Sequence, residues 1–163
     1  MSRRAELLAV RIEEGANGLA AFAEKLSDAE WGSPGSTGGN DHRPVGVVIH
    51  HVASVYPIEV ELAKTIGSGK AVTDVTWEAV AELNANHSKE KAAIGKAETL
   101  ELLRKNSREA ASAVRNFTDE QLDTAAPFGL SYDAPVTAQF VIEDHAVRHS
   151  WHHLAKIKKA LGR

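Results

Sequence analysis

TAQFVIEDHAVRHSWHHLAKIKKAL, residues 137–161, reads as one long amphipathic helix. Counted at about 100° per residue from His153, the side chains of His149, Ile142, Ala146, Ile157 and Ala160 all fall within roughly 40° of one direction. Two histidines one turn apart therefore lie inside the apolar stripe. His145 and His152 fall toward its flank, and Trp151 and Asp144 point away.

Working outward from that helix, the rest of the chain shows the same period. Residues 3–26 carry Leu7, Leu8, Val10, Ile12, Leu19, Phe22 and Leu26 among charges, which predicts a first amphipathic helix. Ser27 and Glu30 form a capping-box pair for a short turn after it. WGSPGSTGGNDHRP, residues 31–44, has glycine, serine and two prolines but no apolar period, and is expected to be a long loop and a lid over a site. A second helix should open with Pro44 in its first turn and run to residue 66 before GSG stops it. Residues 76–92 give a shorter helix around Trp77, Val80 and Leu83, with Trp77 expected in core packing. Residues 98–117 give another, with Leu100, Leu102, Leu103, Ala110, Ala113 and Val114 as its apolar positions. Thr118 and Gln121 make a second capping box, and residues 127–135 read as a turn-rich connection. Strand alternation is weak throughout, and there is no internal repeat. One all-α domain over residues 1–163 is expected, an up-and-down four-helix bundle with a long loop between its first and second helices.

Composition narrows the function. The 163 residues contain no cysteine, so there is no disulfide, no thiolate ligand and no cysteine nucleophile. The net charge of -3, with Lys and Arg scattered among acids, lacks the basic stripe that a phosphate backbone needs, so nucleic acid is not an expected partner. The opening MSRRAELLAVRIEEG places Glu6, Glu13 and Glu14 where a secretory signal would be apolar, and no stretch reads as a membrane span; a cytoplasmic protein is expected. G-x-S-x-G is absent, and GSTGGND is not followed by the lysine and hydroxyl pair of a phosphate-binding loop.

Histidine is the unusual residue: there are eight, and five fall in the pairs and clusters His50, His51, His149, His152 and His153. On the second helix, His51 shares a side with Val47, Val55, Ile58 and Leu62, whereas His50 is turned well off it. His51, His149 and His153 thus all aim inward. Residues i and i+4 stand about 6 Å apart, so two imidazoles can meet one ion from neighbouring positions while a third closes the set from another helix. Such rings need an acceptor for the second nitrogen, and Glu59, Glu143 and Ser150 are in range by sequence. The competing reading is a cluster hydrogen-bonded to carbonyls or carboxylates with no ion at all. His87, on the helix face of Val80 and Leu83, is a candidate catalytic base or fourth ligand, and a frayed-end histidine is the alternative. His50, His145 and His152 read as rim or supporting groups, and Trp151 with Trp77 as lining of a pocket or of a dimer seam.

VIHHVAS (48–54), LNANHSKEKAAIGKAETLELLR (83–104), FTDEQLD (117–123) and HSWHHLAKI (149–157) resemble the DinB-like family, which includes the YfiT-type proteins. In that family one histidine of the second helix and two histidines four apart in the last helix are the usual metal ligands; His51, His149 and His153 occupy those positions. The resemblance implies a four-helix bundle with one divalent ion, zinc or nickel, in a chain that forms homodimers. It also implies a small-molecule substrate, handled either by metal-dependent hydrolysis or by S-transfer from a low-molecular-weight thiol such as bacillithiol or mycothiol. Any thiol must be a cosubstrate, since the chain has none. A metal- or ligand-binding module without turnover is the second function class; a shell closed by His87 would favour it.

Overall fold

The computed structural model describes residues 2–37 and 41–163, so residues 38–40 of the expected loop lie outside the described residues. Helix α1 (Arg3–Glu24) starts where Ser2 accepts a hydrogen bond from the Ala5 amide at 3.1 Å, and it buries Leu8, Ile12, Ala16, Leu19 and Ala23 at helical spacing. Leu7, counted above among the apolar positions, is turned outward and half exposed. Helix α2 (Asp28–Gly32) carries the Ser27 and Glu30 capping box in both directions. Helix α3 (Val45–Gly67) is the apolar centre of the molecule; Pro44 stands just before it as its N-cap rather than within its first turn. Helices α4 (Trp77–Glu90), α5 (Lys96–Arg115) and α6 (Asp119–Asp123) follow, the last with the Thr118 and Gln121 capping box in place.

The expected turn-rich connection is instead a small antiparallel hairpin of β1 (Ala125–Phe128) and β2 (Ala134–Thr137). Four-residue strands with Pro127 opposite Pro135 give almost no alternation to read. After Thr137, whose side chain accepts from the Phe140 amide, the last helix is assembled from α7 (Ala138–Val141), a π-helical segment (Ile142–Val147) and α8 (Arg148–Ala160).

The four long helices, α1, α3, α5 and the composite last helix, make the four-helix bundle. Their order is not the simple alternation expected from the sequence. Arg115, at the end of α5, holds Glu6 and Glu13 at 2.8 to 2.9 Å, while Lys96 at its start reaches the Leu26 carbonyl beyond the end of α1, so these two helices are antiparallel. Asn106 meets Ala53, and Gly67 lies against Phe117, so α3 and α5 run the same way. The last helix runs with α1, as Arg4 to Gln139 and Gly15 against Trp151 show. The sense is up, down, down, up, with α1 and α3 on a diagonal. Short loops force neighbouring helices antiparallel, and the long return through residues 68–95, which carries α4, removes that constraint.

Helix α4 buries no residue completely. It is tied on through the hairpin: Val72 donates to the Pro127 carbonyl at 2.9 Å, Gly129 to the Val72 carbonyl at 2.7 Å, and the Trp77 indole to the Leu130 carbonyl at 3.1 Å. Trp77 is half exposed, so it packs at a surface and not in the core. Helix α3 is long and apolar enough to cross a membrane by composition, but here it is mostly buried among the other helices.

Pro57 sits inside α3 and has no N–H, which leaves the Ala53 carbonyl without its helical donor. Asn106, buried on α5, supplies the replacement: its Nδ2 donates to Ala53 O at 2.8 Å. Asn106→Ala should cost about 1–3 kcal/mol in the natural background. In a Pro57→Ala background, where the helical bond is restored, the cost should fall by about 1 kcal/mol. Equal costs in urea unfolding of both backgrounds would contradict this pairing.

Candidate metal centre

His51 comes from the second turn of α3, and His149 and His153 from α8, which runs antiparallel to it. One ring nitrogen from each of the three lies within 4.8 Å of the others, and no other group of three or more His, Cys, Asp or Glu among the described residues is gathered this way. The His149 and His153 rings are 4.8 Å apart and the His51 ring is 5.0 Å from His149, all nearly edge-on or tilted, as rings are when their nitrogens converge on a shared point. The helical count thus selected the three that meet.

Their surroundings hold the His149 ring in place and keep His51 and His153 neutral. Glu59, two turns along α3 from His51 and 5 % exposed, accepts a 2.6 Å hydrogen bond from His149 Nδ1. With Nδ1 donating, the His149 lone pair is left on Nε2. Burial pushes His51 down to about 3 and His153 down to about 2, helped by the neighbouring histidines and by Arg43. His51 Nδ1 and Glu59 Oε2 are buried without a hydrogen-bond partner among the described residues. Orphaned polar atoms beside three converging imidazoles fit a bound cation, which would occupy the lone pairs and offset the buried carboxylate.

Of the proposed acceptors, only Glu59 is used this way. Ser150 pairs instead with the Tyr56 hydroxyl, deep between α3 and α8, and Glu143 accepts from Gln139 at 3.2 Å.

The cluster opens into a cavity of about 450 Å³. Val55, Ile58 and Leu62 of α3 form one wall, and Trp77, Val80 and Leu83 of α4 the other. His145 and His152 lie on the lining, His145 with its ring edge toward Phe128 at 5.7 Å, as rim groups. Arg43, just before α3, also lines it.

His87 does not join the three. It stacks on His50, with Nε2 2.8 Å from His50 Nδ1, and its ring centre is 5.7 Å from that of His51. His50 is buried and forms this pair behind the cluster; it is not on the cavity rim. Two features escaped the sequence reading. Arg43 had no motif around it, and the π-helical segment, which resets the phase of the helix just before His149, leaves no local signature.

The metal-free protein should lose stability in acid. His51 and His153 take protons only in the unfolded chain once pH falls below its ordinary value of about 6.5, so the stability present above that pH drains away as pH drops toward their folded values. The slope is up to about 1.4 kcal/mol per pH unit for each ring. Burial shifts His50, His87, His145 and His152 in the same direction. Denaturant midpoints unchanged between pH 7 and pH 5 would contradict the buried, neutral cluster.

The sequence matches the DinB superfamily over residues 11–157. YfiT from Bacillus subtilis, described as a probable metal-dependent hydrolase with an unusual four-helix bundle topology, superposes with a TM-score of 0.75 at 21% identity, over 100% of this chain and 89% of that one. At that identity the likeness speaks for the fold. No curated protein matches the sequence. With nearly the whole chain matched, the protein belongs to the DinB superfamily.

Proposed function

We propose that the chain is a metal-dependent enzyme in which His51, His149 and His153 hold one divalent ion, zinc or nickel, and that it acts on a small electrophilic substrate. The observation that carries this reading is the convergence of three ring nitrogens, within 4.8 Å, on the lining of a cavity whose exposed surface is mostly apolar. Three neutral imidazoles leave an ion its full charge and at least one open position, so a bound ion would supply Lewis acidity and lower the pKa of a water or thiol brought to it.

The chain's own residues do the rest. Glu59 fixes the His149 tautomer and orientation, and its unpartnered Oε2 is an acceptor at the cluster. The aliphatic walls hold the substrate body and thin out water around the reacting bond. Hydrolysis is the reaction this geometry fits best, because a cavity of about 450 Å³ suits one drug-sized molecule. YfiT's description as a probable metal-dependent hydrolase agrees with it. S-transfer from a low-molecular-weight thiol is the second use of the same open position, supported by the absence of any cysteine that would compete for the ion. We place the enzyme in the cytoplasm as a homodimer, with half-exposed Trp151, on the side of α8 away from the cavity, as an apolar contact available to a second copy.

Chelator competition tests the ligand set. His51→Ala, His149→Ala and His153→Ala should each abolish tight zinc or nickel binding, and His152→Ala should leave it intact. Glu59→Gln should weaken binding about 10- to 100-fold. Hydrolysis of an activated ester should vanish with chelation and return with one equivalent of metal; acceleration only when a small thiol is added would select S-transfer. Equal losses from all four histidine variants would refute the assignment of His152 to the rim.

A further inference from the structure

The loop before α3 delivers one cation to the cavity and then leaves part of it unused. Gly35 donates to the Arg43 carbonyl at 2.8 Å, and Pro34 bridges to Pro44, so the backbone of Arg43 is pinned. Its side chain is 16% exposed, and Asp41 grips the Nε and Nη2 edge with two bonds of 2.8 Å. The Asp41 carboxyl is correspondingly held well below its usual range. Nη1, in contrast, is buried with no partner among the described residues. A guanidinium N–H withheld from water and given no acceptor is costly, unless something enters the cavity to accept it.

What enters must also satisfy the apolar walls of Val55, Ile58, Leu62 and Leu83. We propose that Arg43 is a substrate-specificity residue, whose Nη1 binds the carboxylate of a monocarboxylate with an aliphatic body lying along those walls. A singly charged carboxylate is the better fit than a phosphate. Asp41 takes only the Nε–H and one Nη2–H, which leaves the Nη1 N–H groups for a planar carboxylate. A phosphate dianion would be repelled more strongly by Asp74 and Asp144, which line the same cavity. This deepens the reading above and rests on it for the identity of the cavity as the substrate site. Arg43 acts on binding and not on the reacting bond.

Octanoate and its neutral counterpart octanamide are the probes, titrated calorimetrically into protein with and without metal. The metal-free arm removes direct ligation of the carboxylate by the ion. Octanoate should bind about tenfold tighter than octanamide in both arms. Arg43→Gln should erase that preference while leaving octanamide affinity and metal affinity in place, and Arg43→Lys should keep part of it. Equal binding of the two probes by the natural protein overturns the proposal without needing any variant. So does a preference that survives Arg43→Gln, or one seen only with metal bound. Failure of the protein to bind metal would instead strike the enzyme reading, and the metal-free preference would still report on Arg43.

Discussion

Imidazole nitrogens removed from water demand partners, and the centre of this molecule is organised around that demand. His51 and His153 are each less than a tenth exposed, and His149 is held by a buried carboxylate. Desolvation keeps His51 and His153 neutral, and neutrality gives each a lone pair to direct at a common point. Glu59 cannot be understood alone either: a carboxylate 5% exposed with one oxygen unpaired is expensive unless positive charge lies near it. A cation among the three rings answers both problems at once.

The bundle's connectivity serves this centre. Because α3 and the last helix are antiparallel neighbours, His51 faces His149 and His153, and Glu59, two turns further along α3, reaches back to His149. Parallel α3 and α5 require a long return, and that return carries α4, whose apolar side chains make the second wall of the cavity instead of joining the core. The hairpin, which grips residues 72 and 129 together, fastens α4 in place. A bundle whose three connections were all short would have no such cavity wall.

Much of this was legible in the sequence for a simple reason: helical period and histidine spacing act on the same scale. A count of about 100° per residue put His149 and His153 on the stripe and His51 on its own, and the rings meet. Both capping boxes were readable because a cap is a local device of four residues. The direction of α5 was not, since it depends on contacts between residues such as Arg115 and Glu13 that are about a hundred positions apart. Trp77 was read as core because aromatic residues at helical spacing usually are, whereas α4 has no second layer to cover it. The resemblance carried by VIHHVAS and HSWHHLAKI named the family, and it pointed to the same three ligands; it did not reveal Arg43 or the pairing of His50 with His87.

The most direct test is X-ray absorption on the natural, untagged protein loaded with one equivalent of zinc. The account predicts a first shell with three imidazole nitrogens at about 2.0–2.1 Å, their outer-ring scattering visible, and one or two additional light atoms filling the open side. A shell of oxygen atoms without imidazole scattering, or protein that retains no zinc after desalting, would contradict it.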